Sequence, residues 1–174
     1  MRITQFNATY VGDEDRVLFR FNTSTSQEYR LWLTRLMVRE LLALGAQAAV
    51  AVVARTHPGE HAQAIAEFKQ QTQAQATQFT SFVPATQFPL GAEPLLVKRV
   101  RFTLEKQTTA LQLELQGGKV LTMQLTESMV VQLRLLLEAI GRKAAWGLEQ
   151  TAPSGDAVAS VDGVPAGVGP KVMH

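Results

Sequence analysis

Hydrophobic and polar positions alternate along the first third of the chain. Val17, Phe19 and Phe21 alternate with Leu18, Arg20 and Asn22, and Tyr29, Leu31 and Leu33 with Arg30 and Trp32. A period of two built from aromatic and branched residues predicts half-buried strands. Residues 2–10 predict a strand before them. Val11-Gly12-Asp13-Glu14-Asp15 predicts a turn from its Gly and Asp content, and residues 22–26 a polar loop. At Thr34 the period changes. Its hydroxyl suits an N-cap, and Leu36, Met37, Leu41 and Leu44 follow at helical spacing. Beyond Gly45 the run 46–53 is apolar nearly all round, which predicts a buried core helix.

The same order of elements returns later. Residues 17–44 fall on 109–136 without a gap, with Leu33-Thr34 on Leu125-Thr126, Met37-Val38 on Met129-Val130, and Leu41 on Leu133. Such self-similarity predicts an internal repeat. In the second copy, residues 96–104 predict a strand, and Leu111, Leu113 and Leu115 alternate through the next. Gln116-Gly117-Gly118-Lys119 predicts a tight hairpin, because paired glycines tolerate positive φ. Leu121, Met123 and Leu125 form a third strand, and Thr126 caps a helix reaching about Leu148.

Between the copies, Pro58 suits the first turn of a helix reaching about Phe79, with sparse apolar positions. Residues 80–95 combine Pro84, Pro89 and Pro94 with Phe82, Val83, Phe88 and Leu90. The prolines predict irregular backbone, and the apolar side chains predict an ordered loop pressed on the domain or on a partner. From about Gln150 the chain is Ala, Gly, Pro, Ser, Val and Asp, which predicts a disordered tail. The fold class is therefore α+β. It consists of two βββα repeats (2–55 and 95–148) with a helix and loop inserted at 56–94, forming one domain over 1–149 and a tail over 150–174. Antiparallel sheets are expected from the short turns, with the Ala/Val-rich helix between or across them.

Composition narrows the function. Cysteine is absent, which excludes disulfides, thiolate catalysis and Cys-based metal sites. The formal charge is +2, which permits an anionic partner without demanding one. The N-terminal residues lack a signal-peptide apolar run, and the apolar stretch 41–54 is shorter than a membrane span of about 20 residues. A cytoplasmic protein without a membrane partner is expected.

Few residues suggest chemistry. His57-Pro58-Gly59-Glu60-His61 matches H-x-x-E-H, but Pro58 and Gly59 break the helical face that zinc ligation needs. The acidic turn at 13–15 is read as solvated. No phosphate-binding glycine loop or nucleophile motif is present, so neither enzyme activity nor a catalytic, metal or cofactor site is expected.

A surface is the better candidate. If the alternating strands face their apolar residues inward, Arg16, Leu18, Arg20, Arg30 and Trp32 face the other way. Arg99 and Arg101 extend that face from the second copy, and Phe82 and Phe88 of the loop are further contact candidates. Trp and Arg are favoured protein-contact anchors. The alternative is weak nucleic-acid binding by base stacking and phosphate contact. It is disfavoured because the matching second-copy positions, Ala110, Gln112, Thr122 and Gln124, carry no charge. Exposed strand edges further predict a homodimer. The segments Glu14-Asp15-Arg16-Val17-Leu18-Phe19-Arg20-Phe21-Asn22 and Glu28-Tyr29-Arg30-Leu31-Trp32-Leu33-Thr34-Arg35 together resemble a small family of uncharacterised proteobacterial proteins. That resemblance implies no activity.

Overall fold

The computed structural model describes residues 2–56, 64–68, 72, 82–105 and 108–148. The order is β1 (Ile3–Val11), a 3-10 turn (Gly12–Glu14), β2 (Arg16–Thr23), β3 (Glu28–Thr34), α1 (Arg35–Thr56), β4 (Leu95–Leu104), β5 (Thr109–Leu115), β6 (Val120–Leu125) and α2 (Glu127–Lys143). Each half thus runs strand, strand, strand, helix, and the α+β class holds. Residues 64–68 and residue 72 of the expected insertion helix are helical. The rest of that helix, His57, Glu60 and His61, and the expected tail lie outside the described residues.

All six strands join one sheet in the order β1 to β6. Within each half, neighbours are antiparallel, as short turns require. The halves meet through a parallel pair, where Leu31 and Trp32 lie opposite Leu95 and Leu96. This corrects the expectation of wholly antiparallel sheets. The β3–β4 connection is the long crossover containing α1, and such a connection returns the chain in the same direction.

Strand alternation sets the core. Val17, Phe19, Phe21, Tyr29, Leu31 and Leu33 are buried on one face, with Leu111, Leu113, Leu115, Met123 and Leu125 from the second half. Phe21 and Tyr29 stack across β2–β3 with centroids 4.9 Å apart. The helices cover this face. α1 packs on β3 and β4, while α2 reaches β1 and β6 and also packs on α1. The outermost strands, β1 and β6, approach each other beneath α2, so the sheet is curled. Residues 35–54 of α1 have the length and hydropathy of a membrane span. Yet Met37, Val38, Leu41, Leu44 and Ala48 belong to the main core. Of the run 46–53, expected to be buried all round, only Ala48, Ala49 and Val53 are buried, while Ala46, Val50, Ala51 and Val52 are half-buried and Gln47 is exposed.

Local signals explain the element ends. Thr34 Oγ1 accepts from Met37 N at 3.3 Å, and Thr126 Oγ1 from Met129 N at 3.4 Å. The β5–β6 hairpin turns through Gly117 and Gly118, both at positive φ. α2, however, stops at Lys143 instead of reaching about Leu148. Ala145 adopts φ 53°, with Ala145 N donating to Arg142 O and Trp146 N to Gly141 O. These two bonds form a Schellman C-cap, built here without the usual glycine.

Candidate functional site

The predicted outward face exists, and the predicted loop lies on it. Residues 82–94 run as a strap across the outer side of β1–β3. Val83 N donates to Gln5 Oε1 at 3.1 Å, and Asn22 Nδ2 donates to Val83 O. Glu28 N donates to Gln87 O at 2.8 Å, and Ala85 N to Glu28 Oε2 at 3.2 Å. Strap backbone groups that would otherwise need water thus find partners on the sheet.

Two arginines clamp the strap from below. The Arg20 guanidinium lies 4.5 Å from the Phe82 ring centroid and donates twice to Asn7 Oδ1, at 2.7 and 3.2 Å. Arg30 lies 4.5 Å from the Phe88 ring centroid, donates to Glu28 Oε1 at 2.7 Å and reaches Ala92 O at 3.1 Å. A cation over an aromatic face contributes about 1 kcal/mol. The sequence presented the arginine face and the Phe82/Phe88 loop as separate contact candidates, and the structure joins them to each other.

Sequence reasoning missed Glu28, whose side chain is 0 % exposed. It faces outward at the start of β3, two residues before Arg30, so both side chains stand on one strand face. An acid and an arginine at this spacing, beside an apolar loop, were the available signal. Burying the carboxylate is tolerable because Arg30 and the strap backbone satisfy it.

The other candidates are placed differently. Trp32 is half-buried, opposite Leu18 on one side and Leu96 on the other. Arg16 stands at the far end of β2, opposite Thr34, with Glu14 at 3.6 Å. Arg99 and Arg101 lie on β4 beyond its pairing with β3. Arg99 meets Glu114 at 2.9 Å, on a face that is polar and open.

A second cluster closes the far end of the first hairpin. Trp146 is 3 % exposed, and its Nε1 donates to Asp15 Oδ1 at 2.7 Å. Tyr10 donates to the same oxygen at 2.9 Å, and its ring meets Trp146 edge-on at 5.6 Å. Arg35 also donates to Trp146 O. The bonds from Trp146 and Tyr10, aided by the Arg35 charge, hold the Asp15 carboxyl below its ordinary value. The bond to Asp15 in turn raises the Tyr10 hydroxyl, with burial and the carboxylate's charge adding to it. This arrangement clasps the chain after α2 onto the β1–β2 turn, and it gives Asp15 a structural role.

Among the described residues, no group of three or more His, Asp or Glu side chains is placed to hold a metal. No protein-family model matches the chain, and neither the curated proteins nor the solved structures gave a match.

Proposed function

We propose that the protein is a cytoplasmic interaction or assembly module that docks a protein partner on the outer face of β2–β4, beside the strap. The carrying observation is Trp32, half-buried in mid-sheet with Leu18 and Leu96 as its cross-strand neighbours. A large aromatic ring bordered by apolar side chains and a polar rim is the composition of an interface anchor. The strap adds Val83, which is 68 % exposed, to the same side of the molecule. A second copy of the chain is one partner of this chemistry. The same reading takes the two halves as an internal duplication, supported by Thr34 and Thr126 capping α1 and α2 alike.

Nucleic-acid binding is the weaker reading. Arg20 and Arg30 are turned to Asn7, Glu28, Phe82 and Phe88, so two nitrogens and one stacking face of each are engaged within the protein.

Trp32→Ala tests the proposal. Wild-type protein should co-purify from its native host with a defined partner or self-associate on light scattering. The variant should lose that association while keeping the wild-type circular dichroism. An unchanged association would reject the Trp32 surface. Binding to single-stranded DNA at low salt, weakening as salt rises, would favour the nucleic-acid reading instead.

A further inference from the structure

The helix layer, on the side of the sheet away from Trp32, holds a groove of about 650 Å³ between α1 and α2. A recess of about 230 Å³ continues it, sharing Arg39, Gly147 and Leu148 and reaching Leu36. Half-buried Leu42, Ala43, Ala46 and Leu148 supply an apolar wall. Leu36 stays 46 % exposed, although a leucine gains by leaving water. From Leu36 to Ala46 the wall runs about 15 Å, at the helical rise per residue. Arg134 pairs with Glu138 at 3.4 Å beside Glu67, and Arg39 has interactions of its own. The apolar wall is therefore what the groove offers.

The chain leaves the described residues inside this groove. After α2, Ala145 and Gly147 take φ 53° and 59° and turn the chain back onto its own helix. Trp146 is pinned there by Asp15 and Arg35. A Cβ at position 141 would stand 2.8 Å from Leu148 Cδ1, so Gly141 seats the leucine. Residues 149–174 thus start from a fixed point on the wall. Their composition is too poor in apolar residues for a core of their own. Yet Val158, Val161 and Val164 recur at every third position, followed by Pro165. A polyproline-II helix has three residues per turn, so this spacing lines the valines along one edge over roughly 19 Å. Its backbone needs no internal hydrogen bonds and stays solvated, which an open groove allows. Residues 149–157 reach about 30 Å when extended, which is ample for a wall of half that length.

We infer that residues 158–164 of the same chain dock in the α1–α2 groove as a polyproline-II segment, with Val158, Val161 and Val164 on the wall of Leu36, Leu42, Ala43, Ala46 and Leu148. The short tether holds the segment at roughly millimolar effective concentration, so a contact too weak for a separate peptide is populated. The docked segment closes the groove to other ligands.

Paramagnetic relaxation in the full chain tests this. The chain has no cysteine, so a spin label on Ser160→Cys is unique. It should broaden away the NMR signals of Leu42, Ala46 and Leu148 and leave those of Trp32 and Gln112, on the other face of the sheet, sharp. Val158→Asp combined with Val161→Asp should restore the lost signals. Ala46→Phe, which fills the groove, should restore those of Leu42 and Leu148 at unchanged circular dichroism. The aspartate pair alters no described residue, so it decides the matter even where Ala46→Phe fails to fold. Spin-labelled chain mixed with isotope-labelled chain lacking the label should give no broadening, because the contact lies within one chain. The inference is overturned if the groove signals stay sharp, if the aspartate pair leaves the broadening in place, or if the mixed sample broadens as strongly, which would assign the groove to a second copy. Trp32→Ala should leave the broadening unchanged, so this contact and the partner surface stand or fall separately.

Discussion

The two halves of the sheet share an inside and differ on the outside. Both bury alternating apolar residues beneath a helix capped by a threonine. On the first half, the outer face holds Arg20, Asn22, Glu28 and Arg30, and residues 82–94 are strapped onto it. On the second half, the outer face holds Arg99, Arg101, Gln112 and Gln124, and the described contacts there are between surface polar groups. Polar residues facing out of a sheet thus have two fates. A solvated polar group adds little to stability, whereas a buried charge must be paired and becomes costly to disturb.

Removing the buried charge is the strongest way to break this difference. Glu28→Ala leaves Arg30 without its carboxylate and Ala85 N without its acceptor. Losing one partner of a buried pair costs about 3 kcal/mol or more. Urea denaturation should show that loss. Limited proteolysis should then cut the variant within 82–94, while hydrogen exchange keeps the β5–β6 hairpin protected. A loss below about 1 kcal/mol would mean that the strap is not anchored by Glu28.

The inside was more legible from sequence than the outside, because alternation is a local signal. Val17 through Leu33 announce their buried face by period alone, and Gly117-Gly118 announces its turn by the φ it permits. The parallel β3–β4 pair was not legible, since its direction follows from the path of the crossover and not from either strand. Nor was the union of strap and arginines. Phe82 and Phe88 lie roughly 60 positions from their arginine partners, and no periodicity spans such a gap. Trp146 was hidden differently. Its spacing continues the helix, and with alanine instead of glycine at 145 nothing in the sequence marked the left-handed cap.

The Asp15 clasp sharpens the comparison, because it is where the chain after the second half's helix is tied to the first half's hairpin. Asp15 is held below the unfolded-state value of 3.8 by the Trp146 and Tyr10 bonds. Its contribution is therefore complete above pH 3.8, and is lost as pH falls through the lower folded value. Acidification in that window should shift Trp146 emission to the red as the indole loses its carboxylate and its shelter. Trp32→Phe isolates the signal, since the chain has 2 tryptophans. Asp15→Asn should remove the acid step. If the step persists in that variant, some other carboxylate governs the indole.

The smallest effect is expected on the bare face, and it is the control for the rest. Arg99 and Glu114 make a 2.9 Å ion pair, but their side chains are 69 % and 42 % exposed. Water solvates both charges almost as well apart as together, and ordering two long side chains offsets the Coulomb gain. Arg99→Ala should therefore change stability by no more than about 0.5 kcal/mol, and a double-mutant cycle with Glu114→Ala should find a coupling of similar size. The Arg30–Glu28 pair has the same chemistry at 2.7 Å, so the difference between the two pairs isolates burial under the strap as the cause. A coupling above about 1 kcal/mol at Arg99 would show that the second half's outer face is also covered, and the contrast between the halves would collapse.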